Sequence, residues 1–192
     1  MRPLFKVILP LSLISLLGAC RSSYPPIRTA PVVELPRFMG DWYVIANIPT
    51  SIERGAHNAV ESYRLDADGS IPTTFTFRDG SFAGEIKRYC PRGFVTDDPS
   101  KAIWGMRFIW PIKADYRIVY VSDDYQQTII GREKRDNVWI MARTPEISEA
   151  QFTELRERVG REGYDLSKLE RVPQRWPEDS TAPPRSAAKE CS

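Results

Sequence analysis

Few side chains in this sequence could carry out a reaction. There is one histidine, His57, in a polar stretch that reads as a loop. A serine–histidine–acid relay would have to use it, yet no Gly-x-Ser-x-Gly turn is present to hold a nucleophilic serine. No cysteines and histidines fall at zinc-ligand spacing, and no glycine-rich loop could cradle a phosphate. The residues therefore point to no metal, no cofactor and no enzyme. The cysteines are Cys20, Cys90 and Cys191. No acid–base or electropositive partner is fixed beside Cys90, so a reactive thiol is not expected there. A Cys90–Cys191 bridge is the favoured pairing, with two free thiols or an intermolecular bridge as the alternatives. It would close a loop of about 100 residues, worth up to roughly 4–5 kcal/mol, and would tie down the C-terminal tail.

Cys20 has a chemistry of its own. Arg2 and Lys6 precede an apolar run over residues 7–17, interrupted only by Pro10, Ser12 and Ser15. The run is short for a membrane-spanning helix, and a polar, proline-rich stretch follows it. Leu17-Gly18-Ala19-Cys20 resembles a bacterial lipobox. In that motif the cysteine sulfur takes a diacylglyceryl group, and cleavage frees the cysteine amine for a further acyl chain. Several acyl chains anchor stably where one is marginal. The resemblance implies a cleaved signal peptide over residues 1–19 and lipid attachment at Cys20, with the membrane as a partner. Arg21 stands where an aspartate would imply inner-membrane retention. The outer membrane is therefore favoured, its periplasmic face ahead of the cell surface. Pro25, Pro26, Pro31 and Pro36 make residues 20–36 read as an extended, acylated tether. A folded domain is expected over residues 37–176 and a polar tail over residues 177–192. Without residues 1–19 the chain carries 25 basic and 25 acidic side chains, which argues against a nucleic-acid partner. The charged tract 132–137 reads as a solvated turn.

The elements between these ends read as eight short strands: 41–48, 58–65, 71–77, 83–89, 101–110, 116–121, 126–132 and 138–143. Asp66-Ala67-Asp68-Gly69 and Arg78-Asp79-Gly80-Ser81 mark tight turns. Strands joined by short turns predict an antiparallel up-and-down sheet, and eight can close into a barrel holding one small ligand. Ser148 and Gln151 then form a capping box, and Ile147 can staple onto Phe152. Phe152, Leu155 and Val159 share one face, so one helix is expected outside the barrel with that stripe inward, ending near Gly160 and Gly163. Residues 169–172 read as a short last strand. Period-two alternation puts Trp104, Met106, Phe108 and Trp110 on one face, Tyr116, Ile118 and Tyr120 on another, and Phe75 with Phe77 on a third. Turned inward, such rings line an apolar cavity suited to a lipid-like ligand. The cavity candidates are Phe75, Phe77, Trp104, Met106, Phe108, Tyr116, Tyr120 and Trp139. A barrel packed solid, with a structural or assembly role at the envelope, is the alternative, followed by an enzyme built on the same barrel and using Cys90 or a tyrosine.

Gly40-Asp41-Trp42-Tyr43 resembles the Gly-x-Trp motif of lipocalins. Ser122-Asp123-Asp124-Tyr125 is loosely similar to that family's Thr-Asp-Tyr element, and Arg143 stands where its third element requires an arginine. The resemblance pairs Arg143 with the Trp42 indole, a cation–π contact that seals the closed end of the barrel. Gly40, Trp42 and Arg143 then have structural roles. Ile52-Glu53-Arg54-Gly55, Tyr63-Arg64-Leu65, Arg143-Thr144-Pro145 and residues 161–168 are similar to bacterial outer-membrane lipocalins. That group resembles apolipoprotein D and plant temperature-induced lipocalins. The likeness covers about residues 35–175. It implies a mainly β, eight-stranded antiparallel up-and-down lipocalin barrel with one C-terminal helix packed outside. It also implies a fatty-acid or lysophospholipid-like ligand stored or transported at the outer membrane, and leaves monomer and homodimer open. Residues 71–89 match the pattern poorly and read as shortened, with Pro72 removing a ladder donor. The tail carrying Cys191 is an addition.

Overall fold

The computed structural model describes residues 24–178 and Cys191. The signal peptide expected over residues 1–19, Cys20 and the rest of the tail lie outside the described residues. The strands are β1 (Gly40–Ile48), β2 (Ala56–Tyr63), β3 (Ser70–Asp79), β4 (Ile86–Tyr89), β5 (Arg92–Val95), β6 (Ile103–Ile109), β7 (Ile112–Val121), β8 (Gln127–Gly131), β9 (Val138–Ala142) and β10 (Glu170–Arg171). The helices are α1 (Leu35–Phe38) and α2 (Glu149–Arg161). Neighbouring strands pair antiparallel, and β9 pairs back onto β1, which closes the sheet into a barrel. β4 and β5 share one position, both paired to β3, so the barrel has eight strands. β10 adds to β1 beside the closure.

The strand expected over 83–89 is thus the first half of a broken one. Cys90-Pro91 interrupts it, because proline cannot donate to the ladder. The Pro91 carbonyl still accepts from the Thr73 amide at 2.9 Å, which keeps the two halves in line. β3 is not shortened: it has ten residues and holds Pro72 near its start, opposite Arg92. β7 begins at Ile112 rather than Tyr116, because Trp110-Pro111 forms a tight turn after β6.

Two cores explain the strand patterns. Trp42, Val44, Phe75, Phe77, Trp104, Met106, Tyr116, Ile118, Ile130 and Met141 point inward. Ile45, Ala46, Ile129, Val138, Ile140 and Ala142 point outward, under Leu155 and Val159 of α2. Burial on both faces makes β9 read as a continuous apolar run rather than an alternating one. The capping box forms as expected, with the Ser148 hydroxyl accepting from the Gln151 amide at 3.2 Å and the Gln151 carbonyl oxygen accepting from the Ser148 amide at 2.9 Å.

The closed end is sealed by α1. Phe38 inserts against Trp42 at 5.1 Å and Trp104 at 5.5 Å between ring centroids. The Trp42 indole donates to the Phe38 carbonyl at 2.8 Å. The Arg143 guanidinium lies 3.8 Å from the Trp42 ring centre. It donates to the carbonyls of Arg37, Phe38, Met39, Asp41 and Tyr125, at 2.8–3.3 Å. Gly40 has φ +93°, and a side chain there would meet Arg143 at 3.4 Å, so the turn into β1 requires glycine.

From Tyr24 onward the expected tether is instead docked. Ile27, Ala30 and Val33 are buried. The Ala30 and Val33 amides donate to the carbonyls of Ile118 at 2.9 Å and Ser100 at 2.8 Å. Apolar residues every third position, among prolines, suit an extended polyproline-like strap with one face down. At the other end Cys90 and Cys191 form a disulfide, with Cα atoms 5.4 Å apart and a sequence separation of 101. Glu178 pairs with the buried Arg78 at 2.6 Å.

Arg143→Ala should lower the unfolding free energy by about 2–4 kcal/mol, because it strips the donor shared by five carbonyls, three of those bonds part-buried, and the cation from the buried Trp42. Chemical denaturation measures it. Replacing Cys90 and Cys191 together by serine should cost about 2–5 kcal/mol in the same assay without reductant.

Candidate ligand-binding cavity

The barrel is filled at one end and hollow at the other. Below, Trp104 stacks on Tyr116 at 5.2 Å and meets Tyr63 and Phe38 edge-on. Above, under the loop 49–55, lies a cavity of about 270 Å³. Phe75 of β3, Met106 and Phe108 of β6, Tyr116 of β7 and Trp139 of β9 wall it, with Ile52 above. These are five of the eight candidates. Phe77 and Trp104 point inward but lie away from the cavity wall: Phe77 packs on Phe75 and Tyr89, and Trp104 fills the floor.

Tyr120 faces the other way. It packs with the outer core under α2, where Arg158 lies 4.1 Å from its ring centre. The ladder slips by one residue between Ile118 and Tyr120, and this bulge leaves Val119 and Tyr120 both outside. A similar slip between Met106 and Ile109 leaves Phe108 half in the cavity and half in solvent, and Trp110 out at the turn. Alternation alone cannot see either slip. His57 lies at the open end of β2, its ring edge-on to Phe82 at 4.9 Å and its Nδ1 2.9 Å from the Gly55 carbonyl.

Two carboxyls in the cavity were not expected from the sequence. Glu61 on β2 points inward, in phase with Ala59 and Tyr63. That phase was readable, because both neighbours at i±2 are core residues. The Tyr63 hydroxyl donates to Glu61 and lies 2.7 Å from the Tyr116 hydroxyl. Burial, reinforced by the nearby Glu53, pushes the Glu61 carboxyl up to about 8. Burial also raises the Tyr116 phenol well above its ordinary range. Glu53 descends from the loop and accepts from Thr50 at 2.6 Å, the Trp139 indole at 2.6 Å and Asn47 at 3.1 Å. Burial raises its pKa too, but these donors oppose the rise. Asp115 and Arg132 complete the lining. Each is paired outward, Asp115 with Arg117 at 2.9 Å and Arg132 with Asp136 at 3.4 Å. The arrangement can therefore enclose an apolar chain, offer a hydrogen-bonding floor, and present an arginine at the rim.

Residues 33–174 match the family model described as a lipocalin-like domain. The chain belongs to the lipocalin family. Temperature-induced lipocalin-1 of Arabidopsis thaliana is 31% identical over 161 residues, covering 79% of this chain and 86% of its own length. The outer membrane lipoprotein Blc of Escherichia coli is 29% identical over 157 residues, covering 80% and 88%. Among solved structures, insecticyanin of the tobacco hornworm Manduca sexta superposes with a TM-score of 0.64 at 13% identity, covering 81% of this lipocalin and 88% of its own chain. That likeness speaks to the fold alone.

Glu61 holds its proton in the folded state to about pH 8, against an ordinary value of 4.5 for the unfolded chain. The folded state therefore binds more protons between these values, and stability falls as pH rises from about 4.5 to 8. Glu61→Gln should flatten this decline, leaving stability at pH 4.5 little changed and raising it at pH 8 by up to about 4 kcal/mol. Urea denaturation across that range measures it, and an unchanged slope in Glu61→Gln would refute the assignment.

Proposed function

We propose that this lipocalin binds a single-chain, lipid-like ligand of the fatty-acid or lysophospholipid class and stores or carries it at the outer membrane. It is held there by acyl chains on Cys20, on the periplasmic side, and its work is equilibrium binding rather than turnover. The hollow upper half of the barrel carries this reading. A cavity of about 270 Å³ with aromatic and apolar walls lies just below the roughly 300–1,000 Å³ range of ligand pockets, which suits one chain rather than two. Releasing water from apolar surface supplies roughly 25 cal/mol per Å² buried. Glu61 is neutral below about pH 8, so a chain laid beside it buries no charge. Arg132 at the rim, though paired with Asp136 at 3.4 Å, keeps a guanidinium edge beside which a polar head can sit. The name of the Escherichia coli relative, an outer membrane lipoprotein, supports the reading of Cys20 as an anchor.

The mature chain carrying Cys20→Ala, titrated with a fluorescent fatty-acid probe, should show saturable one-site binding. Ala114→Trp, which fills the cavity from β7, should weaken it about tenfold. Binding that does not saturate would sink the proposal.

A further inference from the structure

The tip of the β6–β7 hairpin exposes apolar surface that neither core uses. Phe108, Ile109, Trp110 and Ile112 are 52, 73, 79 and 70% exposed. Single exposed apolar residues are ordinary, but four large ones within five positions make a patch of the kind that marks a contact surface. Phe108 also lines the cavity, so the patch runs into the mouth of the barrel.

The charges around that mouth favour an anionic surface. Arg54 in the loop 49–55 and Lys134 in the loop 132–137 lie at the open end, and Arg107 and Lys113 sit on the hairpin just below its tip. None has an ion-pair partner among the described residues. Arg107 and Lys113 instead flank the Phe94 ring, at 4.6 and 4.1 Å. The acids nearby are already paired: Asp115 with Arg117 at 2.9 Å, Glu133 with Arg117 and Arg135 at 3.1 and 3.5 Å, and Asp136 with Arg132 at 3.4 Å. An apolar wedge ringed by free cations complements a bilayer of anionic phospholipid. The same ring would repel itself if two copies paired through this face.

The path of the chain gives an independent argument. Tyr24 lies at the open end too, with the Arg135 guanidinium 5.5 Å from its ring centre, and Arg135 donates to the Pro25 carbonyl at 2.8 Å. Four peptide steps separate Tyr24 from Cys20, a reach of at most about 14 Å. Acyl chains on Cys20 would therefore draw the bilayer to the mouth and not to the end sealed by Arg143.

We infer that this lipocalin docks mouth-down on a phospholipid bilayer, with the hairpin tip at Phe108–Ile112 in the interface and Arg54, Arg107, Lys113 and Lys134 over the head groups. A ligand then passes between bilayer and cavity without crossing bulk water. The orientation argument rests on the acylation proposed for Cys20, whereas the tip and its cations stand without it.

The test uses the mature Cys20→Ala chain, so that no acyl chain contributes. It should float with vesicles of phosphatidylethanolamine and phosphatidylglycerol, and more weakly with phosphatidylcholine. Trp110→Ser with Ile112→Ser should lower the partition coefficient about tenfold or more. Neither residue lines the cavity, so affinity for the soluble fatty-acid probe should stay within about twofold, which also reports an intact fold. Lys113→Gln with Lys134→Gln should weaken binding at low salt and lose its effect at high salt. Absence of flotation, or flotation indifferent to the Trp110 and Ile112 changes, would overturn the inference. So would a dimer that the same changes dissolve, without vesicle binding, because it would assign the tip to a second copy. Failure of the fatty-acid titration with vesicle binding retained would strike only the proposed ligand.

Discussion

The Arg143 guanidinium holds the closed end of this barrel by two faces at once. Its plane lies on the Trp42 indole, and its edge donates to carbonyls from the segment 37–41 and from Tyr125. A closed barrel has no sheet edge to fray, so its ends are where it can open. With α1 plugged in by Phe38, the lower layers of Trp104, Tyr116 and Tyr63 pack solid. Solid packing below leaves the void above, beneath the loops at the other end. The site follows from the seal.

Within that void the two buried glutamates are treated differently. Glu53 has three donors, and its burial is answered by structure: it ties the loop 49–55 to Asn47 of β1 and Trp139 of β9. Glu61 has Tyr63 alone as a donor, and its burial is answered by a proton. A carboxyl kept neutral can accept and donate in an apolar space without the cost of a bare charge. Glu53 therefore shapes the entrance while Glu61 supplies the polar floor.

The alternation of side chains along a strand was legible, and it located much of the cavity wall: Phe75, Met106 and Tyr116 lie where period two puts them. Arg143 and Trp42 were legible by resemblance, and geometry joins them. The misplacements share one cause. Each bulge adds a residue to one strand, and the sequence carries no mark of it, so Tyr120 reads as inward and lies outside. Glu61 was missed for the opposite reason. An acid ordinarily faces water, and here only its phase with Ala59 and Tyr63 marks it as inward. The tether was misread through its prolines, which set an extended chain but say nothing of what it lies on. Ile27, Ala30 and Val33 decide that.

With Cys20 acylated as proposed, that docked segment also decides which way the barrel faces a membrane. β1 starts at the closed end, because α1 plugs it immediately upstream. A chain leaving α1 directly would carry the anchor proposed at Cys20 away from the closed end and hold the mouth toward water. Instead residues 24–34 turn back and climb the outside of the barrel, pinned by the Ile118 and Ser100 carbonyls and by the ion pair of Arg28 with Glu162 at 2.7 Å. The climb ends at Tyr24, beside the loop that carries Arg135. Three small apolar contacts and two backbone hydrogen bonds thus reverse the polarity of the whole barrel relative to its N-terminus. The hollow end, the apolar hairpin tip and the exit of the chain coincide there because the strap runs antiparallel to β1. An apolar ligand leaving a cavity that opened to water would meet the full cost of rehydration, roughly 25 cal/mol per Å². A mouth held against a bilayer removes most of that cost from exchange in either direction, while leaving the affinity of the cavity itself unchanged.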